Sequence, residues 1–150
     1  MKIDVWHISK KFGKQNIIRD FSYTFLPNEK YVITGANGSG KSTLLKIISG
    51  YLSPDSGTVT FEKNDAKIEV PDFAIYAPYI APPNDFTVLE AISFHTSFKP
   101  IQTSEQELLN EIKLSPTKKL TELSSGMKQR LQLALVFFSK SDVIFLDEPT

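Results

Sequence analysis

The chain has 150 residues, 17 Lys plus Arg against 17 Asp plus Glu, and no cysteine. That length suits one domain burying about two-thirds of its unfolded surface. Balanced charge argues against a duplex nucleic-acid partner, whose binders carry a basic surplus, and the absence of thiols removes disulfides, thiolate chemistry and cysteine zinc sites.

Residues 1–6 alternate apolar and polar without a signal-type apolar core. The longest apolar run, 133–138, is far too short to span a bilayer. We expect a soluble cytoplasmic domain able to dock on a membrane partner.

Ile3, Val5 and Ile8 mark a first strand. A second runs from Ile17 to Phe25, with Ile17, Arg19, Phe21, Tyr23 and Phe25 expected on one side. Pro27-Asn28 turns into a short apolar strand, Tyr31-Val32-Ile33-Thr34. Then comes Gly35-Ala36-Asn37-Gly38-Ser39-Gly40-Lys41-Ser42-Thr43, followed by an apolar helix ending at Gly50. The Pro54–Gly57 turn precedes a β-branched and aromatic strand, Thr58 to Glu62, and 63–65 is a further turn. Phe73 to Ala77 is a short strand, whereas 78–84 holds three prolines and excludes regular structure. Thr87 with Glu90, and Ser104 with Glu107, are capping boxes opening two helices. These helices lie far from any strand signal and read as a subdomain inserted into an α/β core. A longer helix follows Ser124-Ser125-Gly126, and 142–147 is an apolar strand ending in acids.

The spacing Gly35, Gly40, Lys41, Ser42 fits the phosphate-binding loop G-x-x-x-x-G-K-[ST]. Such a loop converges backbone N–H groups on one point, and the helix beginning at Lys41 adds its positive end. Lys41 supplies a mobile charge for outer phosphates, and the Ser42 hydroxyl a ligand for magnesium. Asp147 and Glu148 leave the carboxyl end of a buried strand, where open α/β sheets bind ligands. Asp147 is placed to hold magnesium through water, and Glu148 to orient or deprotonate an attacking water. Taken alone, these two are also compatible with solvated acids after a strand. The serine-rich helix start at 124–126 is an anion site of unspecified anion, or a plain cap.

In this order the 35–45 stretch, Leu123-Ser124-Ser125-Gly126-Met127 and Leu146-Asp147-Glu148-Pro149-Thr150 resemble the ATP-binding-cassette (ABC) ATPases over the whole chain. The resemblance implies a P-loop NTPase fold: an α/β core over 1–78 and 127–150, with a mainly parallel sheet and an N-terminal antiparallel β portion. Residues 79–126 then form the inserted helical subdomain that ends in the signature loop. It implies Mg²⁺-dependent ATP hydrolysis, with Glu148 and Lys41 catalytic and Ser42 and Asp147 at the metal. Nucleotide contacts fall on Phe12, which stacks on adenine, on Gly35, Asn37, Gly38, Ser39, Gly40, Lys41, Ser42 and Thr43, and on Ser124 and Gly126 across a dimer. Phe12 can also be read, less favourably, as a surface aromatic. The implied partners are a second nucleotide-binding domain, head to tail, and a transmembrane transporter subunit, with the chain peripheral on the cytoplasmic membrane face. No nucleic acid is expected. The alternatives are a soluble ABC-type ATPase in repair, translation or cofactor assembly, and an ATP-gated clamp with little hydrolysis.

Three departures stand out. Ser125 and Met127 occupy positions where the family usually has glycine and glutamine, and Tyr79 follows the strand where the family has a glutamine. The family also continues past the equivalent of Thr150 with an interface loop, a further strand and a switch histidine. We therefore expect the C-terminal part to be missing and the 150-residue chain alone to be inactive. His7 and His95 read as ordinary surface or helix-face residues.

Overall fold

The computed structural model describes residues 1–149; Thr150, the end of the last motif, lies outside the described residues. The chain divides into two compact units, Met1–Asp72 and a second beginning at Phe73.

In the first unit β1 (Lys2–Phe12) and β2 (Gln15–Phe25) form an antiparallel hairpin, β3 (Ser56–Lys63) pairs with the other edge of β1, and β4 (Ala66–Ile68) pairs with β3. The order is β2-β1-β3-β4. Ile3, Val5 and Ile8 are buried. The step from Val5 to Ile8 is three residues, which breaks the period of two expected of a strand. A bulge absorbs the extra residue, and His7 sits in it at φ 48°. Opposite, Asp20 at φ 46° does the same in β2. Side chains replace ladder bonds there: His7 N–H donates to Ser22 Oγ at 2.8 Å, Asp20 N–H donates to Ser9 Oγ at 3.0 Å, and His7 Nδ1 pairs with the Asp20 carboxylate.

The Asp20 bulge corrects one expectation. Ile17 and Arg19 do not continue the face of Phe21, because Ile18 is the buried residue and Arg19 is exposed. A second correction concerns Tyr31–Thr34, which forms no strand. A strand exists through its ladder, and among the described residues no strand pairs with this stretch; Val32 is 85% exposed. Tyr31 instead packs edge-on against Tyr23 and Phe25, and its hydroxyl accepts from the Leu26 N–H at 2.8 Å. β4 was not foreseen. It closes a hairpin whose turn residues, Asn64 and Asp65, both take positive φ, the mark of a type I′ turn. Helix α1 (Lys41–Ile48) stops before a left-handed Gly50, as expected.

In the second unit β5 (Phe73–Tyr76) runs parallel to β6 (Val143–Leu146), Phe73 opposite Val143 and Tyr76 opposite Leu146. Three helices pack beside them: α2 (Val88–Phe98), α3 (Glu105–Ile112) and α4 (Ser125–Phe138). Both capping boxes form, on Thr87 and on Ser104. The three helices share one core in which Ile92, Leu108, Ile112 and Leu131 are at most 1% exposed. Each such side chain contributes roughly 1.5–3 kcal/mol of burial. His95 lies half-buried on α2, its Nε2 2.9 Å from Ser139 Oγ. That hydroxyl already donates to the Leu135 carbonyl at 2.7 Å, so Nε2–H is the donor. Burial lowers the His95 pKa, in keeping with a neutral ring. Among the described residues no helix is long and apolar enough to cross a membrane.

Gly57 fixes where β3 meets the β1 bulge. It sits at φ 81°, and a Cβ there would lie 2.4 Å from the carbonyl oxygens of Trp6 and His7. Those are backbone atoms and cannot swing aside. Gly57→Ala should lower unfolding free energy by about 2 kcal/mol or more in urea titrations. Gly13→Ala, at φ 58° with nothing within 4 Å, should cost only the dihedral strain, about 1 kcal/mol. Equal losses would show that the contact at Gly57 is unimportant.

Candidate nucleotide site

The first unit carries Phe12 and all of 35–43. Gly40 is the N-cap of α1 at φ 95°, a conformation L side chains rarely adopt. A Cβ there would also stand 2.7 Å from Ile17 Cγ2 on β2, so the loop rests directly on the hairpin. Because Gly40 has no side chain, no cap hydrogen bond occupies the start of α1, and its first turn holds no acid. The helix opens with Leu44 N–H donating to the Gly40 carbonyl at 2.8 Å, and Ser39 N–H closes a turn onto Ala36 at 3.1 Å. Lys41 Nζ reaches back over the loop and donates to the carbonyls of Gly35 and Ala36 at 3.0 and 3.1 Å. Positive charge and helix N-terminal dipole therefore meet at one place, the arrangement that attracts an anion. Ser42 and Thr43 lie in the first turn of α1, and Asn37, Gly38 and Ser39 form the exposed crest of the loop. Phe12 ends β1 beside the hairpin turn and is 53% exposed.

The second unit carries Ser124, Gly126, Asp147 and Glu148. Asp147 directly follows β6 and is only 6% exposed; its N–H donates to the Tyr76 carbonyl at 2.9 Å, extending the parallel pairing by one residue. Glu148 is exposed and sits at φ 48°. A left-handed glutamate stores of order 1–3 kcal/mol of strain, and such outliers cluster at functional sites. The Gln129 side chain on α4 donates to the Pro149 carbonyl at 2.9 Å and so holds the segment after the acids, a contact no sequence motif announces. Ser124 is the N-cap of α4 and accepts from the Met127 N–H at 3.3 Å. A Cβ on Gly126 would meet nothing within 4 Å, so neither packing nor dihedral inside this chain demands glycine there. Tyr79 is half-exposed in the proline-rich segment after β5.

Among the described residues no three His, Cys, Asp or Glu cluster as a metal cage. A divalent ion here needs oxygen ligands from a hydroxyl, one carboxylate and the phosphates themselves, which is how magnesium is usually held. The first unit carries such a hydroxyl at Ser42, the second such a carboxylate at Asp147, and the Lys41 ammonium at the uncapped start of α1 has the charge that attracts an anion.

Comparison with known proteins agrees with this chemistry. The family model described as ABC transporter matches residues 18–150. The chain is 34% identical to YtrB, an ABC transporter ATP-binding protein of Bacillus subtilis (strain 168), over 99% of the chain and 52% of YtrB. It is 35% identical to YybJ of the same organism, an uncharacterized ABC transporter ATP-binding protein, over 99% of the chain and 71% of YybJ. The chain thus spans about half the length of the first of these relatives. A solved Pyrococcus furiosus structure described as an ABC transporter (ATP-binding protein) superposes with a TM-score of 0.81 at 26% identity, covering 99% of this chain and 76% of that one. The dimeric bacterial ABC transporter cassette MJ0796 superposes at 0.78 with 22% identity, covering 99% and 74%, and shows the shared fold. A family match that covers residues 18–150, well over half of the sequence, settles membership: the chain belongs to the ABC transporter family.

Proposed function

We propose that this chain provides the ATP-binding and ATP-hydrolysing machinery of an ABC transporter. The observation that carries the reading is the loop at 35–43, where Lys41 Nζ lies against the Gly35 and Ala36 carbonyls at the uncapped start of α1. The backbone N–H groups of the loop and Lys41 hold the β- and γ-phosphates. Phe12 stacks on adenine. Ser42 and Asp147 would hold magnesium, which when bound neutralises charge on the outer phosphate oxygens. Glu148 orients or deprotonates the water that attacks the γ-phosphate in line.

MJ0796 has been solved as a dimer and with ADP and Pi. By analogy, two copies of the nucleotide-binding domain clamp ATP head to tail, with Ser124 and Gly126 of one copy facing the γ-phosphate held by the other. The open space at Gly126 supports that role, since a phosphate can approach the helix start closely. An apolar groove of about 340 Å³ in the second unit, lined in part by Tyr76, Ile80, Pro82, Phe94 and Phe98, suits a transmembrane subunit as partner. The protein then works at the cytoplasmic membrane face, with 79–126 as its helical subdomain. Tyr79 favours a second reading, an ATP-gated clamp with little turnover, because a tyrosine cannot offer an amide carbonyl to magnesium.

In the full-length protein Lys41→Ala should weaken ATP binding about 10- to 100-fold by titration calorimetry, as expected for losing a charge-assisted contact. Unchanged affinity and turnover would remove the loop from the site. Glu148→Gln should keep ATP affinity, slow phosphate release about 10²- to 10⁴-fold and favour an ATP-bound dimer in sizing experiments. Unchanged turnover with no dimer would exclude Glu148 as the acid that handles water.

A further inference from the structure

The Pro54–Gly57 turn does more than reverse the chain. Asp55 is bound to the end of β1 at three successive residues. Its N–H donates to the Ser9 carbonyl at 2.9 Å, its Oδ1 accepts from Lys10 Nζ at 2.8 Å, and its Oδ2 accepts from the Lys11 N–H at 2.8 Å. Lys10 Nζ also donates to the Ser53 carbonyl at 2.8 Å. The Lys10 side chain is only 13% exposed, so its ammonium is fixed by these partners rather than free in solvent. The Lys10 hydrogen bond, and then the Lys11 N–H, hold the Asp55 carboxyl below the usual carboxylate range. The carboxylate stays charged at neutral pH, and the latch with it.

The fixed ammonium lies 5.9 Å from the centroid of the Phe12 ring, within cation–π range. Lys10 and Phe12 are two residues apart on β1, so the strand itself places both on one side. The other end of the latch is tied to the last turn of α1, the helix that follows the phosphate loop. Leu52 N–H donates to the Lys46 carbonyl at 3.0 Å, which anchors the 50–55 segment to α1. A short chain of bonded groups thus links Phe12, Lys10, Asp55 and the helix that begins at Lys41.

We propose that the Lys10–Asp55 latch positions the Phe12 ring against the phosphate loop, so that base and triphosphate are held at one fixed separation. This rests on reading Phe12 as the adenine platform. Lys10 and Asp55 are positioning residues and touch no part of the nucleotide. Without the Lys10 ammonium the end of β1 loses its side-chain ties to Asp55 and Ser53 and the cation beside the Phe12 ring, and the ring samples orientations that cannot stack on a base whose phosphates are already fixed.

The test compares Mg·ATP with inorganic tripolyphosphate, which has the phosphates and no base, as ligands of the full-length protein by calorimetry. Lys10→Met should weaken ATP binding about three- to tenfold and leave tripolyphosphate affinity within about twofold. Retained tripolyphosphate binding also reports an intact fold. Lys10→Arg should restore ATP affinity. Lys10→Met added to Phe12→Ala should cost nothing beyond Phe12→Ala alone, because the latch acts through that ring. Equal losses for both ligands, or losses that add across the double variant, would overturn the positioning role. If Phe12→Ala alone leaves ATP affinity unchanged, the adenine platform itself is refuted and the inference falls with it. If Phe12→Ala weakens ATP while Lys10→Met does not, the platform stands and the latch is refuted.

Discussion

Gly40 turns left-handed at the point where loop becomes helix, pressed against Ile17 of β2. That contact sets the direction in which α1 leaves, and so the direction of the N–H groups at its start. It also sets Lys41, the next residue, whose ammonium folds over the Gly35 and Ala36 carbonyls. A β-carbon at this position would push the loop off the hairpin and tilt the helix. The antiparallel hairpin is therefore the floor on which the glycine-lysine loop closes.

The second unit solves a different problem, which is to present acids at a strand end. β6 is apolar and short, and Asp147 follows it with its backbone still paired to Tyr76. Asp147 is buried, whereas Glu148 is exposed on a left-handed backbone. The three-helix core beneath Ser124 keeps the α4 start rigid, since Leu131 and Leu135 tie α4 to α2 and α3.

What the sequence disclosed follows the range of the forces involved. The capping boxes at Thr87 and Ser104, the left-handed Gly50 and the glycine-lysine loop are local chemistry, and they appear as expected. Tyr31–Thr34 reads as a strand because it is apolar, yet a strand needs a partner that no local pattern supplies. The bulges at His7 and Asp20 shift the buried face, and only the paired strands reveal them. β4 is three residues long, below the length at which alternation is visible, although the Asn64-Asp65 turn could have signalled it. Asp55 was legible only as a turn residue; its grip on Ser9, Lys10 and Lys11 spans more than 40 positions of sequence. Of the site, residue types and spacing were visible, while the burial of Asp147, the strain at Glu148 and the Gln129 tie were not.

In the proposed function, affinity resides in the 35–43 loop and the outer phosphates, with the base adding to it. The direct measurement is equilibrium binding of ATP and AMP, with magnesium, to the full-length protein. ATP should bind at least about 100-fold more tightly than AMP, because AMP lacks the outer phosphates assigned to Lys41 and the start of α1. Equal affinity for the two nucleotides would contradict it.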